Sequence, residues 1–300
     1  MTLSLRFKNG QKAFTLVEIL VVIAVVGLLG STIFAITSGA GEQGKIAKGL
    51  RFSQHLQNSL GSYAVGIWRF DEGSGAAAND TSGWGNNGTV HGASFTDDTP
   101  HKAVGTGEGK YALSFGSNNY VDAGFNSSLR LSNDFTWEVW VKANTLGAYR
   151  AIMGYFTGGS SCGVYGGVNL DVYSDNRIWI RYGDTSGVAH EVQVGSAIKT
   201  DTWYHIVLVF SDSSGKIYVN GTPINRTFTP ACPSSWAPFQ IGKNFNNNYY
   251  WDGMIDEVLV YDTILSSAQI QSQYYTGLNR LLAKGLMNEE EYGRKLTMLP

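Results

Sequence analysis

The sequence predicts a mainly β protein: one N-terminal apolar α-helix, a two-sheet antiparallel β-sandwich, and a short helical appendix at the C-terminus. Three observations support this prediction. A basic leader precedes a long apolar run over residues 14–36. From residue 63 onward, short apolar and aromatic runs alternate with clusters of Gly, Asn, Asp and Ser, which is typical of strands and turns. Residues 278–292 have the pattern of two short helices.

The composition limits the class of protein. A chain of 300 residues allows one or two domains. Its net charge of -2 indicates no broad basic surface, so no nucleic-acid partner is expected. The 37 glycines and the 13% aromatic content suit short strands joined by tight turns.

The N-terminal apolar run is long enough to cross a membrane. It covers about 23 residues, which as a helix span roughly 34 Å. The basic leader predicts a single pass with residues 1–13 in the cytoplasm and the remainder outside. Glu18 lies inside this run, where a carboxylate costs about 2.5–3.5 kcal/mol even on mild insertion scales. We therefore expect Glu18 to have a charged partner.

Residues 12–23, KAFTLVEILVVI, resemble the prepilin cleavage and methylation motif shared by type IV pilins and the pseudopilins of type II secretion. The resemblance implies that a prepilin peptidase cuts between Ala13 and Phe14 and methylates the new N-terminus at Phe14. It also implies that Glu18 pairs with the N-terminal amine of a neighbouring subunit in the filament. The family usually has Gly at the position of Ala13, and many major pilins have Pro at the position of Ala35.

The chain is predicted to divide into four segments. Glycines after Ser38 interrupt the apolar helix, because each costs a helix interior up to about 1 kcal/mol. A second helical piece is expected over 46–60. The predicted segments are the leader, 1–13; the membrane and spine helix, 14–60; the β-sandwich, 61–275; and the C-terminal helical segment, 276–300.

Nine runs in the sandwich segment have the pattern of strands. In the run 135–142 the side chains Trp137, Val139 and Val141 share one face, and Asn220-Gly221 is a strong tight-turn signal. The predicted strands are 64–70, 112–115, 135–142, 168–173, 177–182, 203–211, 216–219, 239–241 and 253–261.

The order of these strands resembles a laminin-G-like, concanavalin A-like jelly roll. The resemblance is carried by IWRFDEGSG at 67–75, FTWEVWVK at 135–142, TWYHI at 202–206, IYVNG at 217–221 and GMIDEV at 253–258. It implies an antiparallel jelly roll from about residue 63 to 275, ending in a short helix over 266–275.

Some jelly rolls of this kind hydrolyse polysaccharides, which requires two carboxylates flanking the bond. Relatives that do so carry a Glu-x-Asp-x-x-Glu run on one strand, and this sequence has none. Glu138 is alone on its strand, and the adjacent residues Asp256 and Glu257 are expected to point to opposite faces. The sequence therefore predicts a protein that is not an enzyme.

The resemblance also implies a structural calcium ion between the opening segment and the last strand. The matching carboxylates are Asp71, Asp80 and Asp256. Calcium prefers several such oxygen ligands. The alternative is ordinary turn chemistry, because Asp-x-Ser-Gly at Asp80 is also a good turn sequence.

Sugar binding is a further hypothesis for the sandwich. Trp84, Trp236, Tyr249, Tyr250 and Trp251 are candidate exposed aromatics that stack on a pyranose ring. The alternative is that residues 244–251 form a packed loop over the sandwich. The ligand of such a domain is equally a glycan or a protein.

Two further local features carry predictions. Cys162 and Cys232 are the two cysteines, and they form either one disulfide in an exported domain or two buried thiols. In the C-terminal segment Gly285 is expected to end one helix, and Asn288 with Glu291 to form the capping box of the next.

Three functions follow from these features. The first is a minor or tip pilin that displays a lectin-like domain for adhesion or ligand binding, with other pilin subunits and the prepilin peptidase as partners. The second is a pseudopilin of a type II secretion or DNA-uptake machine. The third, disfavoured by the carboxylates, is a membrane-anchored polysaccharide-processing enzyme. The expected location is the cytoplasmic membrane first and an extracellular or periplasmic filament afterwards.

Overall fold

The fold is taken from a computed structural model that describes residues 60–100, 109–131, 134–155, 166–195, 197–211, 215–226, 237–244, 249–283 and 287–297. The chain divides into two compact units, Met1–Gly49 and Leu50–Pro300. All described residues belong to the second unit.

Most of the described residues form short strands, as the alternating texture of the sequence predicts. Tight turns separate them, and left-handed residues such as Asn220, with φ 53°, and Gly221, with φ 73°, form the predicted turn after Val219. The strands are β1 Ala64–Trp68, β2 Ala77–Ala78, β3 Gly88–His91, β4 Ser94–Thr96, β5 Ala112–Phe115, β6 Tyr120–Asp122, β7 Phe135–Ala143, β8 Arg150–Gly154, β9 Val168–Val172, β10 Ile178–Gly183, β11 Ala189–Val194, β12 Trp203–Phe210, β13 Gly215–Val219, β14 Thr222–Arg226, β15 Gln240–Ile241 and β16 Gly253–Tyr261.

The strands form two antiparallel sheets stacked as a sandwich. The first sheet has the order β14-β13-β12-β7-β16-β5-β4, with β1 also paired to β16. The second sheet has the order β11-β10-β9-β8-β15-β6-β3-β2. Consecutive strands of the chain often lie in different sheets, so long-range pairing builds the fold. The mainly β, two-sheet architecture predicted from the sequence is confirmed.

A large apolar core fills the space between the sheets. On β7 the side chains of Trp137, Val139 and Val141 are all buried in it, as the alternation of that strand predicts. Trp137 meets Phe239 edge-on, with ring centroids 5.5 Å apart. Such aromatic pairs add to the area that they bury. The core therefore assigns one face of every long strand to the interior.

The outer face of the first sheet is covered by two helices, α1 Ser267–Ala283 and α2 Glu289–Thr297. Ile270 packs with Leu60 and Leu259 in one apolar cluster, and Tyr274 and Leu278 pack on Trp140 in another. The predicted helix over 266–275 is therefore too short. The apolar spacing 270, 274, 278 continues the contact with the sheet, so the helix runs through the expected boundary at 275/276.

The predicted cap of the last helix is present. The backbone N–H of Glu291 donates to Asn288 Oδ1 at 2.7 Å. This hydrogen bond satisfies one of the free donors at the start of α2.

One feature of β16 contradicts the expectation from simple alternation. Ile255 and Val258 both lie in the core, so two residues instead of one separate these inward positions. The pairing with β7 shifts between Asp256 and Leu259, and Glu257 has a φ of 45°. This β-bulge removes both Asp256 and Glu257 from the core, so the expectation that they point to opposite faces is wrong.

A substitution in the inter-sheet core tests this packing. Leu208 on β12 is fully buried between the sheets. Leu208→Ala is expected to lower the free energy of unfolding by about 2–5 kcal/mol, because it leaves a cavity. Val188→Ala, at a half-exposed turn position, is the control and should change it by less than about 0.5 kcal/mol. Equal effects in urea unfolding of the unit Leu50–Pro300 would contradict the assigned core.

Candidate functional site

The outer face of the second sheet carries a row of polar side chains. Residues paired across neighbouring strands point to the same face. One row of pairs crosses all eight strands, and its inward neighbours lie in the core. The row is Glu191, Arg181, Asn169, Gly154, Gln240, Asp122, Thr89 and Ala77.

A buried ion pair lies near the β11 end of this row. Arg181 Nε donates to Asp171 Oδ2 at 2.8 Å, and Asn169 Nδ2 donates to Asp171 Oδ1 at 3.2 Å. Burial raises the pKa of Asp171, while the neighbouring Arg181 guanidinium opposes that shift. A buried pair of this kind is weak evidence for stability, because desolvation costs much of what the attraction returns. It does hold the Arg181 side chain in one place on the face.

Aromatic rings stack above this ion pair. The guanidinium carbon of Arg181 lies 4.8 Å from the ring centroid of Tyr149. The ring centroid of Tyr149 lies 4.3 Å from that of Tyr249, which stacks on it, and 4.1 Å from that of Tyr173. Trp179 in turn stacks on Tyr173, with ring centroids 4.4 Å apart. We call these four rings, with Arg181 and Asp171, the Tyr149 group.

The Tyr149 group is partly open to solvent and is fixed by its neighbours. Tyr249 has an exposed fraction of 37%, and the other three rings are half-buried. Burial raises the pKa of Tyr149, and the Asp171 carboxylate adds to that shift, so its hydroxyl is neutral at physiological pH. The Tyr173 hydroxyl donates to Glu191 at 2.8 Å, and Trp179 Nε1 donates to Asp175 at 3.3 Å.

A second aromatic group lies on the same face, toward β3. His91 stacks on Tyr120 at 4.4 Å, and Tyr250 lies 6.4 Å from Tyr120. The ammonium group of Lys243 lies 4.5 Å from the Tyr120 centroid and 5.6 Å from the Tyr250 centroid. We call these four residues the Tyr120 group.

The outer face of the second sheet combines ring surfaces with amide, carboxylate, hydroxyl and guanidinium groups. Asn169, Asp171, Arg181 and Gln240 are themselves buried. The rings and the polar groups at their edges, such as Glu191, are therefore the parts of this face that are open to contact.

The predicted ligand residues do not all lie here. Tyr249 and Tyr250 belong to the two groups. Trp84, with an exposed fraction of 59%, lies in the loop between β2 and β3. Trp251 is fully buried in the inter-sheet core, where its Nε1 donates to the Met254 carbonyl at 3.2 Å, so its prediction as an exposed ligand residue is wrong. Trp236 lies outside the described residues.

Most residues of the Tyr149 group were missed by the sequence analysis. The outward positions of two predicted strands hold Asn169, Asp171, Trp179 and Arg181. The available signal was that these alternating outward residues are all polar or aromatic, with an Asp on one strand and an Arg on the next. Tyr149 carried none, because it precedes β8 in a loop.

The three carboxylates predicted for calcium are separated in role. Asp80 accepts hydrogen bonds from the N–H groups of Ile67, Ser82 and Asn86 at 2.8–2.9 Å and from the Ser82 hydroxyl. This occupancy by four donors matches the alternative of turn chemistry and does not fit a metal ligand.

Asp71 and Asp256 interact with each other, because the charge of Asp71 contributes to the raised pKa of Asp256. The Asp71 carboxylate accepts the N–H groups of Gly109 at 2.7 Å, Lys110 at 2.5 Å and Tyr111 at 3.2 Å. Thr99 Oγ1 donates to the buried Asp256 at 2.5 Å, and Arg69 forms an ion pair with the neighbouring Glu257 at 3.2 Å. Burial raises the pKa of Asp256 well above its ordinary value, with smaller contributions from Glu257 and Asp71. Within the described residues, no three His, Cys, Asp or Glu side chains are grouped to hold a metal ion.

Several predicted sites lie outside the described residues. These are Ala13, Phe14 and Glu18 in the apolar segment, and Cys162 and Cys232. Among the helices that the structure describes, none has the length and apolar character needed to cross a bilayer. The cleavage site, the assembly role of Glu18 and the disulfide remain predictions.

Two family models match the chain, one for each of the two resemblances seen in the sequence. Residues 8–36 match the prokaryotic N-terminal methylation motif, which is the type IV pilin-like feature predicted for this segment. Residues 115–271 match a laminin-G family described as the concanavalin A-like lectin/glucanases superfamily. No curated protein sequence matches the chain.

Solved structures with low sequence identity share the fold. The binding domain of Paraclostridial Mosquitocidal Protein 1 is 16% identical, with a TM-score of 0.59 over 73% of this chain and 53% of that one. Domain 4 of the extracellular arabinanase AbnA from Geobacillus stearothermophilus, solved with arabinotriose, is 18% identical, with a TM-score of 0.54 over 69% of this chain and 96% of that one. Trypanosoma rangeli sialidase with sialic acid is 18% identical, with a TM-score of 0.52 over 79% of this chain and 39% of that one.

These likenesses differ in extent. This chain spans about half the length of the toxin binding domain, but nearly all of the arabinanase domain. The matched family region covers more than half of the chain and includes β7 to β16, from which most of both sheets is built. The chain therefore belongs to the concanavalin A-like lectin/glucanases superfamily.

Proposed function

We propose that this protein is a type IV pilin-like subunit that assembles through its N-terminal helix and binds a carbohydrate on the outer face of its second sheet. The proposal joins the methylation motif at residues 8–36 to the lectin-like sandwich. Adhesion to a glycan-bearing surface is the role that this combination favours. A minor or tip position in the filament suits a subunit with a large domain.

The observation that carries the binding part is the stack of Arg181, Tyr149 and Tyr249 over Asp171. Sugars present apolar C–H faces and a rim of hydroxyl groups. The exposed Tyr249 ring, stacked on Tyr149, offers a surface for the first. The partly exposed Tyr173 hydroxyl and the exposed Glu191 carboxylate beside it offer hydrogen-bonding groups for the second. The arabinanase domain solved with arabinotriose has the same fold, which supports a carbohydrate as the ligand class.

The architecture of the second unit suits display of this face. Leu60, where the described chain begins, packs with Ile270 and Leu259 on the outer face of the first sheet. The Tyr149 group lies on the outer face of the second sheet, on the other side of the core. Leu60 and the proposed binding face therefore lie on opposite sides of the sandwich.

A binding role is favoured over catalysis. Glu138, the carboxylate considered for hydrolysis, is buried and lies 2.8 Å from His205 Nε2 beneath α1. Asp256 and Glu257 are also buried on the first sheet. A glycosidase needs two carboxylates that flank an accessible bond. The described carboxylates of the first sheet do not meet that need.

A structural calcium ion is a separate proposal, now resting on Asp71 and Asp256. Burial raises the pKa of Asp256, the charges of Glu257 and Asp71 add to that shift, and the Arg69 guanidinium forms an ion pair with Glu257 at 3.2 Å. A cation would offset the cost of ionising Asp256 in this setting. Thr99 and the carboxylates supply the oxygen atoms that calcium prefers.

The assembly proposal is tested on surface filaments. Mass spectrometry of sheared filaments is expected to find this chain beginning at methylated Phe14. Glu18→Ala is expected to insert in the membrane but to enter filaments poorly, because the N-terminal amine of the neighbouring subunit loses its partner. Only full-length chain in the membrane fraction would contradict the proposal. Dependence on a secretin machine with no surface filament would indicate a pseudopilin.

The binding proposal is tested by retention on insoluble polysaccharides and on a glycan array. Tyr249→Ala is expected to weaken binding about tenfold, the effect of losing one aromatic contact. The matched control is Tyr63→Ala, an exposed tyrosine with an exposed fraction of 51% on the side of the first sheet. No retention of the wild-type chain on any glycan would overturn the proposal, and so would equal losses in both variants.

The calcium proposal is tested by thermal unfolding of Asp256→Asn across pH. Folding raises the pKa of Asp256. Below about pH 4 its carboxyl group is protonated in both the folded and the unfolded state and does not change the free energy of unfolding. As the pH rises from there toward the raised pKa, the group lowers the free energy of unfolding. In chelator the variant should therefore match wild type near pH 3 and exceed it at pH 7, by about 1.4 kcal/mol for each unit of raised pKa. Calcium should stabilise wild type and leave the variant unchanged. A wild-type protein indifferent to calcium would refute the ion.

A further inference from the structure

The Tyr149 group and the Tyr120 group are two halves of one surface. Both lie on the outer face of the second sheet, and consecutive residues join them. Tyr249 stacks on Tyr149, while Tyr250, next in the chain, lies against Tyr120 and Lys243. An isolated antiparallel β-bridge pairs the backbone of Lys243 with that of Tyr250 and so places Tyr250 beside the end of β15.

The surface is long in one direction. Trp179 is on β10 and His91 is on β3, and the sheet order places β9, β8, β15 and β6 between them. Five strand spacings of about 4.8 Å separate the two rings, a distance of roughly 24 Å across the sheet. A disaccharide cannot cover this length.

Polar groups occupy the middle of the surface. Asn169, Gln240 and Asp122 lie on the row that crosses the sheet between the two groups. Gln240 is buried, with an exposed fraction of 4%, and within the described part of the chain its Oε1 accepts no hydrogen bond. Because this oxygen and the Asn169 side chain are enclosed, the half-buried Asp122 is the one of these three side chains that a ligand hydroxyl can reach.

The charges of the surface and its position on the sheet favour a polysaccharide over a nucleic acid or a peptide strand. Arg181 and Arg150 are paired with Asp171 and Asp252, so they do not form a row of cations for phosphates. Peptides add to sheets at the edges, where backbone groups are unpaired, and this surface is a face. Rings at both ends of a long face suit a chain of sugars.

We propose that the outer face of the second sheet binds a linear polysaccharide that contacts the Tyr149 group and the Tyr120 group at once. This inference rests on the proposed carbohydrate-binding function and specifies its ligand as an extended chain. Tyr249 and Tyr120 are the two contacts on which it depends.

The test compares matched disaccharides and hexasaccharides of arabinan, xylan, cellulose, chitin and polygalacturonate, titrated by calorimetry into the full chain in detergent. The variants are Tyr249→Ala, Tyr120→Ala and the double variant, with Tyr63→Ala as the control. At least one hexasaccharide is expected to bind about tenfold or more tighter than its disaccharide, and each single variant should weaken it about tenfold.

The outcomes separate this inference from the function beneath it. A disaccharide that binds as tightly as its hexasaccharide, or a hexasaccharide sensitive to only one of the two variants, would overturn the extended site and leave carbohydrate binding intact. Failure of every sugar to bind would overturn both. Unchanged circular dichroism of the variants distinguishes lost contact from lost folding. Because Tyr120 is half-buried, Tyr120→Leu, which removes the ring but keeps an apolar side chain, serves as a second variant and should weaken the hexasaccharide to a similar extent.

Discussion

The alternation of side chains along each strand is the constraint on which the rest of this structure depends. Two sheets can stack only if one face of each strand is apolar. Trp137, Val139 and Val141 on β7 show how completely that face is committed to the core. The opposite faces are then the surfaces on which the protein can carry other chemistry.

The outer faces of the two sheets differ in how far other parts of the chain cover them. On the first sheet, α1 covers Trp140, Leu259 and Tyr261, and the strand polar groups beneath it, such as Glu138 with His205, are enclosed. On the second sheet, rings and polar side chains reach the surface, with Tyr249 the most open of the Tyr149 group. The covered face anchors the helical appendix and Leu60. The other face is where recognition is proposed.

The buried charges on the two outer faces differ in whether an opposite charge compensates them. The pair Arg181–Asp171 is compensated, and its value lies in holding the guanidinium under Tyr149. Asp256 is in the opposite situation, because burial and nearby carboxylates raise its pKa. The bulge at Glu257 creates that crowding, since it places two consecutive acidic residues outside the core. A local irregularity thus determines whether this corner of the domain favours a cation.

The sequence by itself determined the features that depend on local pattern. The apolar run with Glu18, the strand alternation, the turn at Asn220-Gly221 and the Asn288 cap all follow from residue type and spacing. Tertiary structure alone decided which outward positions come together, because strand order joins residues distant in the chain, as in the row from Arg181 to Gln240 and Asp122. It also decided that Trp251 is core and Tyr249 surface. Their aromatic character is the same, and only the packing of two sheets distinguishes a ring that is enclosed from one that is free to meet a ligand.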